Sequence, residues 1–188
     1  MDDVVLARHG ESVTAAGGIV GGDAPLTAAG QEQARRLGHE LAALPFDVCI
    51  TSGALRAQET AAIALAGRRV PCEVDEAFGD IDFGELAGGP LETYRDWIAS
   101  HAPTEAPPAG ESRVATLRRF ARAYRSLLGR AEASVLVVAH GLTLSALADE
   151  RPQPVVAGVP YGTWLRLGAD ELEARVARLE RWCDAPAW

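Results

Sequence analysis

Two histidines, each followed directly by glycine, stand where short apolar segments end. His9 follows the segment 4–7, and His140 follows the segment 135–139. Short apolar runs rich in β-branched residues predict buried strands of a parallel sheet, and ligands of such sheets bind beyond the carboxyl ends of the strands. Two imidazoles at equivalent strand ends therefore predict a functional site rather than two structural histidines.

Two arginines supply positive charge to the same edge of the predicted sheet. Arg56 stands in the first turn of a helix predicted after a second strand over 46–51, and Arg8 stands beside the first histidine. The free N–H groups and partial positive charge of a helix N-terminus favour binding of an anion. Each guanidinium adds a planar set of N–H hydrogen-bond donors. Together with the two imidazoles, these groups predict a site for a tetrahedral dianion, namely phosphate.

The elements that must position these residues alternate between strand and helix. Apolar residues at helical spacing predict a helix that Thr27 caps and Pro45 ends, and the chain then continues strand, helix, strand. We expect Thr51 or Ser52 to cap the helix that carries Arg56. This order predicts an α/β fold, a three-layer sandwich with a mostly parallel central sheet flanked by helices.

Residues 78–110 are the least regular part of the chain, because glycines and prolines recur through them. We expect this irregular segment to cover the site, with one helix around 91–98. A helix over 111–129 follows, and a strand is expected over 163–167. The sequence of the C-terminal tail is compatible with two structures, because residues 175–182 could form part of a helix or one arm of a hairpin.

Composition limits the class of protein. The 188 residues are 48% hydrophobic, and no apolar run approaches the roughly 20 residues of a membrane span, so we expect one domain over 1–188 without membrane contact. All 18 basic residues are arginine, which excludes chemistry that needs a catalytic lysine. A pI near 5.0 argues against a nucleic-acid partner. No signal peptide is recognised after Met1, so a cytoplasmic location is expected.

The three cysteines give no sign of a metal site or a disulfide framework. They lie far apart in the sequence, form no Cys-x-x-Cys pair and have no neighbouring histidine at zinc spacing. We therefore expect all three to be structural residues and the protein to hold no metal ion.

Four segments resemble motifs of one known family. Residues 6–12 resemble the Arg-His-Gly-Glu-Ser/Thr signature of the histidine phosphatase superfamily, which includes phosphoglycerate mutase and the cobalamin-type α-ribazole phosphatase. Three further segments are similar to motifs of this family and occur in the same order, at 23–34, 51–61 and 138–141. The resemblance is nearest to the α-ribazole phosphatase branch, and it implies a phosphoglycerate mutase-like fold.

The resemblance implies a metal-independent phosphomonoester hydrolase that needs no cofactor. His9 would attack phosphorus and form a phosphohistidine, which water then hydrolyses. Arg8, Arg56 and His140 would hold the phosphoryl oxygens and stabilise the charge that develops on them. The implied substrate is a small phosphorylated metabolite.

The sequence departs from its relatives at the general acid and in the phosphate pocket. In the cobalamin-type branch that the chain resembles, the acid is a glutamate, and Asp80 takes its place with a side chain one methylene shorter. Extended backbone would put Asp82 on the same side, which keeps Asp82 as an alternative acid. The family often has an asparagine that contacts phosphate where this chain has Thr14 and Ala15, so one phosphate donor is missing.

Other functions stay open. A mutase-type phosphoryl transferase shares the signature, but mutases carry a longer segment than the 60 positions that separate Asp80 from His140. A phospho-ligand-binding protein that has lost catalysis would also fit the two departures. Protein phosphohistidine phosphatases are similar, although they are more compact. The sequence leaves the substrate unidentified, and it leaves open whether the protein forms a homodimer.

Overall fold

The computed structural model describes residues 1–148 and 159–188, which form a sheet of five strands. The strands, in chain order, are β1 (Asp3–Arg8), β2 (Val48–Thr51), β3 (Cys72–Val74), β4 (Ser134–Ala139) and β5 (Trp164–Gly168). Their order across the sheet is β3-β2-β4-β1-β5. The three pairs from β3 to β1 are parallel, and β5 alone runs antiparallel, against β1. The prediction of a mostly parallel sheet is confirmed.

Helices cover both faces of this sheet. In chain order they are α1 (Val13–Ala16), α2 (Ala28–Glu40), α3 (Leu55–Ala64), α4 (Leu91–Ser100), α5 (Arg113–Leu128), α6 (Gly141–Ala148) and α7 (Ala169–Asp184). Short 3-10 helices lie at Glu76–Phe78 and Gly84–Leu86. The three-layer α/β fold is the one that the alternation of strands and helices predicts.

The first strand shows how the layers are held together. Val4 and Leu6 point to one face, where they pack with buried residues of α5, α6 and α7. Val5 and Ala7 point to the other face and pack with α2 and α3. Because successive side chains of a strand alternate between faces, a strand buried on both sides must be apolar throughout, which explains the continuous apolar run.

Two predicted helix caps have different outcomes. Thr27 caps α2 as expected, and its hydroxyl accepts a hydrogen bond from the backbone N–H of Gly30 at 2.9 Å. The cap predicted for α3 is wrong, because the N-cap position belongs to Ala54, which has no side-chain hydrogen bond there. The carboxylate of Asp23 instead accepts from the N–H of Leu55 at 2.7 Å.

The tail forms a helix, so the alternative of a hairpin arm is wrong. Helix α7 buries Leu172, Val176, Leu179 and Cys183 in the core that also holds residues of α5. Their spacing places them on one face of the helix. No helix of the described residues is long and apolar enough to cross a membrane.

The irregular segment 78–110 contains α4 and builds a small apolar cluster of its own. The cluster joins buried residues of this segment to one residue of the glycine-rich stretch before α2, and its members are Val20, Ile81, Phe83, Tyr94 and Ile98. Phe83 and Tyr94 meet edge to face with ring centroids 4.6 Å apart. The segment therefore has an ordered core directly beside the ends of the strands.

Candidate active site

His9 lies immediately after β1 with only 4% of its surface exposed. Its Nδ1 is 2.6 Å from the carbonyl oxygen of Gly10. Because a carbonyl oxygen only accepts, Nδ1 carries the hydrogen and the lone pair of His9 is on Nε2. That nitrogen accepts a hydrogen bond from Nε of Arg56 at 3.2 Å. The ring is thus held with a nucleophilic nitrogen directed at a guanidinium.

Arg56 connects the candidate residues to one another. It lies in the first turn of α3, and it is 7% exposed. Its Nη1 donates to the carbonyl oxygen of Gly22 at 3.0 Å. Its Nη2 lies 3.3 Å from Nδ1 of His140 and 3.4 Å from a carboxylate oxygen of Asp80. A buried guanidinium with this many directed contacts is a fixed source of positive charge.

His140 follows β4 and is fixed from both sides of its ring. Nδ1 accepts from Arg56 and is 3.5 Å from Asp80, and Nε2 is 2.9 Å from the hydroxyl oxygen of Ser52. Since Nδ1 accepts, Nε2 carries the hydrogen and donates it to Ser52. The rings of His140 and His9 lie 5.1 Å apart between centroids. Ser52 was predicted only as a possible helix cap and not as a site residue, although its place directly after β2 is the signal that would have suggested it.

Both histidines are neutral near pH 7. Burial lowers the pKa of His9 well below its ordinary value, and the neighbouring His140 and Arg56 lower it further. Burial also lowers the pKa of His140, followed by the charges of Arg56, Arg8 and Arg119. A neutral imidazole keeps its lone pair, so His9 is in the protonation state that a nucleophile requires.

Arg8 reaches the site from β1, with its side chain directed along the segment before β5. Its guanidinium donates to the carbonyl oxygen of Val159 and lies over the ring of Tyr161, 3.9 Å from the centroid. Burial lowers its pKa. A Cβ on Gly141 would lie 3.3 Å from Nε of Arg8, so the glycine after the second histidine leaves room for this side chain. The predicted contact of Arg8 with phosphate stays a prediction.

Asp80, rather than Asp82, contacts the histidine and arginine of the site. Its side chain is 29% exposed and approaches Arg56 and His140 as described above. The carboxylate of Asp82 is occupied locally, where it accepts from the N–H of Gly84 at 2.9 Å. Both carboxylates line a cavity of about 440 Å³ beside Arg56, which is large enough for a small organic molecule.

Arg119 of α5 holds the loop that carries Asp80. It donates to the carbonyl oxygens of Ala77, Gly79 and Asp80 at 3.0, 2.8 and 3.0 Å. The same guanidinium forms a two-pronged ion pair with Glu111 at 3.2 and 2.7 Å. Arg119 was not among the predicted site residues, because nothing in a helical arginine shows that distant carbonyl groups will face it.

Residues that could bind a metal ion do not gather here. Within residues 1–148 and 159–188, no group of three or more histidine, cysteine, aspartate or glutamate side chains is arranged to hold one. The site instead combines two buried imidazoles, one carboxylate, the buried guanidinium of Arg56 and the half-buried side chain of Arg8. This combination can bind an oxyanion, present a nucleophile to it and exchange a proton with a leaving group.

Comparison with known proteins identifies the family. The family model of the histidine phosphatase superfamily (branch 1) matches residues 4–182. The chain belongs to the histidine phosphatase superfamily. The match covers His9, Arg56, Asp80 and His140, and it confirms the resemblance seen in the sequence motifs.

Members of the superfamily with different activities are similar to this chain. It is 35% identical to 2,3-bisphosphoglycerate-dependent phosphoglycerate mutase 2 of Gloeobacter violaceus over 164 residues, 78% of this chain and 74% of that protein. It is 33% identical to the adenosylcobalamin/alpha-ribazole phosphatase of Escherichia coli over 155 residues, 76% and 75% of the two chains. The solved structure of the alpha-ribazole phosphatase from Shigella flexneri superimposes with a TM-score of 0.74 at 28% identity, covering 87% of this chain and 89% of that one. Superfamily phosphatases and mutases are therefore both relatives.

Proposed function

We propose that this member of the histidine phosphatase superfamily is a metal-independent phosphomonoester hydrolase that works through a phosphohistidine on His9. One observation supports this most directly: Nε2 of His9 holds its lone pair against the guanidinium of Arg56. A phosphoryl group that displaces this hydrogen bond would have an oxygen on the arginine and its phosphorus near the nitrogen. The proposed substrate is a small phosphorylated metabolite, bound in the cavity beside Asp80.

Binding of the phosphoryl group uses charges that are already in place. The guanidinium of Arg56 attracts its oxygens, and Arg8 adds a second positive charge. A dianion opposes the effects that lower the pKa of His140, so its binding favours proton uptake there. The imidazolium then donates to a phosphoryl oxygen. These fixed positive groups supply the charge stabilisation that a metal ion supplies in other phosphoryl-transfer enzymes.

In the first chemical step, Nε2 of His9 forms a bond to phosphorus while the bond from phosphorus to the ester oxygen breaks. Asp80 gives its proton to that oxygen, and the alcohol leaves. This step requires a protonated Asp80 carboxyl, and its proton is taken up from solvent when the ester binds. The bond from Nδ1 of His9 to Gly10 keeps the ring oriented throughout.

In the second step, water attacks the phosphohistidine. The Asp80 carboxylate takes the proton of the water, the new oxygen–phosphorus bond forms, and the nitrogen–phosphorus bond breaks. Inorganic phosphate leaves, and His9 and Asp80 return to their starting states. The partial exposure of Asp80 gives water access to this position.

A mutase-type transferase is the second candidate, and the similarity to named phosphoglycerate mutases favours it. A mutase must protect its phosphohistidine from water while the product changes its orientation in the site. The two candidates therefore differ in the lifetime of the phosphoenzyme and in whether inorganic phosphate is released.

The test is hydrolysis of a panel of phosphomonoesters in the presence of EDTA. We expect release of phosphate by the wild type, loss of that activity in His9→Ala, and a large decrease in Asp80→Asn. Asp82→Asn is the matched control and should keep most of the activity. The proposal fails if the wild type releases no phosphate from any ester, or if it only interconverts phosphoglycerates with a long-lived phosphoenzyme.

A further inference from the structure

The peptide group between Gly10 and Glu11 is hydrogen-bonded at both ends. Its carbonyl oxygen, which belongs to Gly10, lies 2.6 Å from Nδ1 of His9 and accepts the hydrogen of that nitrogen. Its N–H, which belongs to Glu11, donates to the side-chain amide oxygen of Gln33 at 2.8 Å. Because a trans peptide directs its C=O and N–H to opposite sides, this one rigid plane connects Gln33 of α2 to the ring of His9.

The contact with Gln33 affects both the direction and the strength of the bond to the imidazole. The amide of Gln33 must present its oxygen to the N–H of Glu11, because a backbone N–H only donates. Linked hydrogen bonds polarise one another, so the bond to Gln33 makes the carbonyl oxygen of Gly10 a stronger acceptor. The same bond keeps the plane of the peptide group from turning, and that oxygen therefore stays directed at Nδ1 of His9.

Other contacts of this loop act on the neighbouring peptide groups. The hydroxyl of Thr60 accepts from the N–H of Gly10 at 3.0 Å, which fixes the preceding peptide group. The backbone N–H of Thr27 donates to the carbonyl oxygen of Glu11 at 2.9 Å, which fixes the following one. Apart from the imidazole itself, Gln33 is the one side chain in the described part of the chain that bonds to the peptide group between them.

Gln33 is itself held in place by packing. It is half-buried in the second turn of α2, and the segment before β5 packs against it. A Cβ on Gly162 would lie 3.3 Å from the main-chain oxygen of Gln33 and 3.6 Å from its Cβ. Gln33 thus lies between the loop after His9 and the segment before β5, which limits the movement of its side chain.

The bond to the Gly10 carbonyl matters most when a phosphoryl group is bound. Without ligand, two contacts orient the imidazole of His9, namely the carbonyl of Gly10 at Nδ1 and Nε of Arg56 at Nε2. A phosphoryl group that approaches Nε2 displaces the contact with Arg56. Of the two contacts, the Gly10 carbonyl then remains, and it keeps the hydrogen on Nδ1 and the lone pair on Nε2.

We propose that Gln33 is a positioning residue of the nucleophile, which acts through the peptide group between Gly10 and Glu11 to hold His9 in the tautomer and orientation that attack on phosphorus requires. The inference rests on the proposed phosphohistidine mechanism and adds to it a residue that acts through the backbone. Loss of the Gln33 amide should therefore slow the chemical step more than it weakens binding of the ester.

The experiment begins with Gln33→Met, which removes the amide oxygen at nearly constant side-chain length. For the ester that the wild type hydrolyses fastest, we expect kcat to fall by about 10- to 100-fold and KM to change less, as where an outer hydrogen bond orients a metal-binding histidine. Gln33→Glu keeps an oxygen acceptor at the same position and should restore much of the kcat. Gln31→Met is the matched control, since Gln31 is an exposed glutamine of the same helix, and it should keep the kcat of the wild type.

A magnetic resonance signal distinguishes positioning from a general loss of structure. The Nδ1 proton of His9 is buried in a short hydrogen bond, so it should give a resonance at low field when the histidines are labelled with nitrogen-15. His9→Asn identifies this resonance among those of the four histidines. In Gln33→Met we expect the resonance to move to higher field and to exchange faster with water, because the acceptor is weaker and less well oriented. Gln33→Glu and Gln31→Met should leave it near the position of the wild type.

Three results would overturn the inference: an active wild type whose kcat is unchanged in Gln33→Met, a resonance that is absent from the wild type or does not move, or equal effects of Gln31→Met. If Gln33→Met does not fold, Gln33→Asn gives the same comparison, because its amide oxygen is withdrawn by one methylene. If the wild type hydrolyses no ester, the proposed function fails instead, and the resonance alone decides whether Gln33 positions His9.

Discussion

Arg119 donates a hydrogen bond to the main-chain oxygen of Asp80 across 3.0 Å, so a helix on one face of the sheet fixes the position of the proposed acid. Arg119→Met removes this bond together with those to Ala77 and Gly79. We expect kcat to fall by about 10- to 100-fold, since a displacement of about 1 Å can have that effect, while KM changes less.

Two further variants show whether Arg119→Met lowers kcat by displacing Asp80 or by a general loss of structure. Arg118→Met removes an arginine of the same helix whose guanidinium bonds to the carbonyl of Cys183 near the end of α7, and it should keep its activity. Arg119→Lys should recover part of the lost kcat. An Arg119→Met enzyme with normal kcat across the pH range would show that the loop is held without this arginine.

The hydroxyl of Ser52 fixes the ring of His140 at 2.9 Å. Ser52→Ala leaves the buried Nε2–H of His140 without its acceptor, which should reduce the free energy of unfolding by about 1–3 kcal/mol. Activity should fall as well, because the imidazole is free to rotate or to change tautomer. Denaturant unfolding and kcat/KM measure the two effects, and a variant with unchanged activity would show that Arg56 alone orients His140.

The buried histidines predict how stability depends on pH. The pKa values of His9 and His140 are lowered in the folded protein, so below about pH 6.5 the unfolded chain binds more protons than the folded one. Stability is therefore fully present above that pH and falls as the pH is lowered, by up to about 1.4 kcal/mol per pH unit for each histidine. Unfolding by urea between pH 7 and pH 5 measures the slope, and His140→Asn should reduce it. An equal slope in the variant would contradict the lowered pKa of His140.

Helix α2 packs so closely against the loop after His9 that adding one methyl group at Gly30 should destabilise the protein. A Cβ on Gly30 would lie 2.1 Å from the carbonyl oxygen of Glu11. Gly30→Ala should therefore cost about 1–3 kcal/mol of stability and also reduce activity, since the loop that it displaces follows His9, the proposed nucleophile. Gly129→Ala is the control, because its nearest contact would be 3.6 Å. Thermal unfolding compares them, and equal stability of the two variants would contradict the close contact.

The sequence predicts the meeting of His9, Arg56 and His140 because parallel strands bring their carboxyl ends to one edge. It does not predict contacts that depend on how distant segments pack. The Asp23 carboxylate that caps α3 comes from 32 positions earlier, and nothing local marks it. The burial of Arg113, the first residue of α5, is equally unpredictable from the sequence, since an arginine at the start of a helix is usually solvated. Tertiary packing also decides the tail, where helical spacing and a hairpin arm were both compatible with the residues.

The strand order has a consequence for synthesis of the chain on the ribosome. Strand β1, which ends just before His9, hydrogen-bonds to β4 and β5, and its first residue pairs with Ser134 and Gly168. More than a hundred further residues must therefore be synthesised before β1 can pair with another strand. Until then a continuous apolar stretch stays exposed to the cellular environment, where chaperones that bind such stretches would shield it. The proposed activity cannot appear in stages during translation, because His9, the proposed nucleophile, reaches its place only when β1 has paired with β4 and β5.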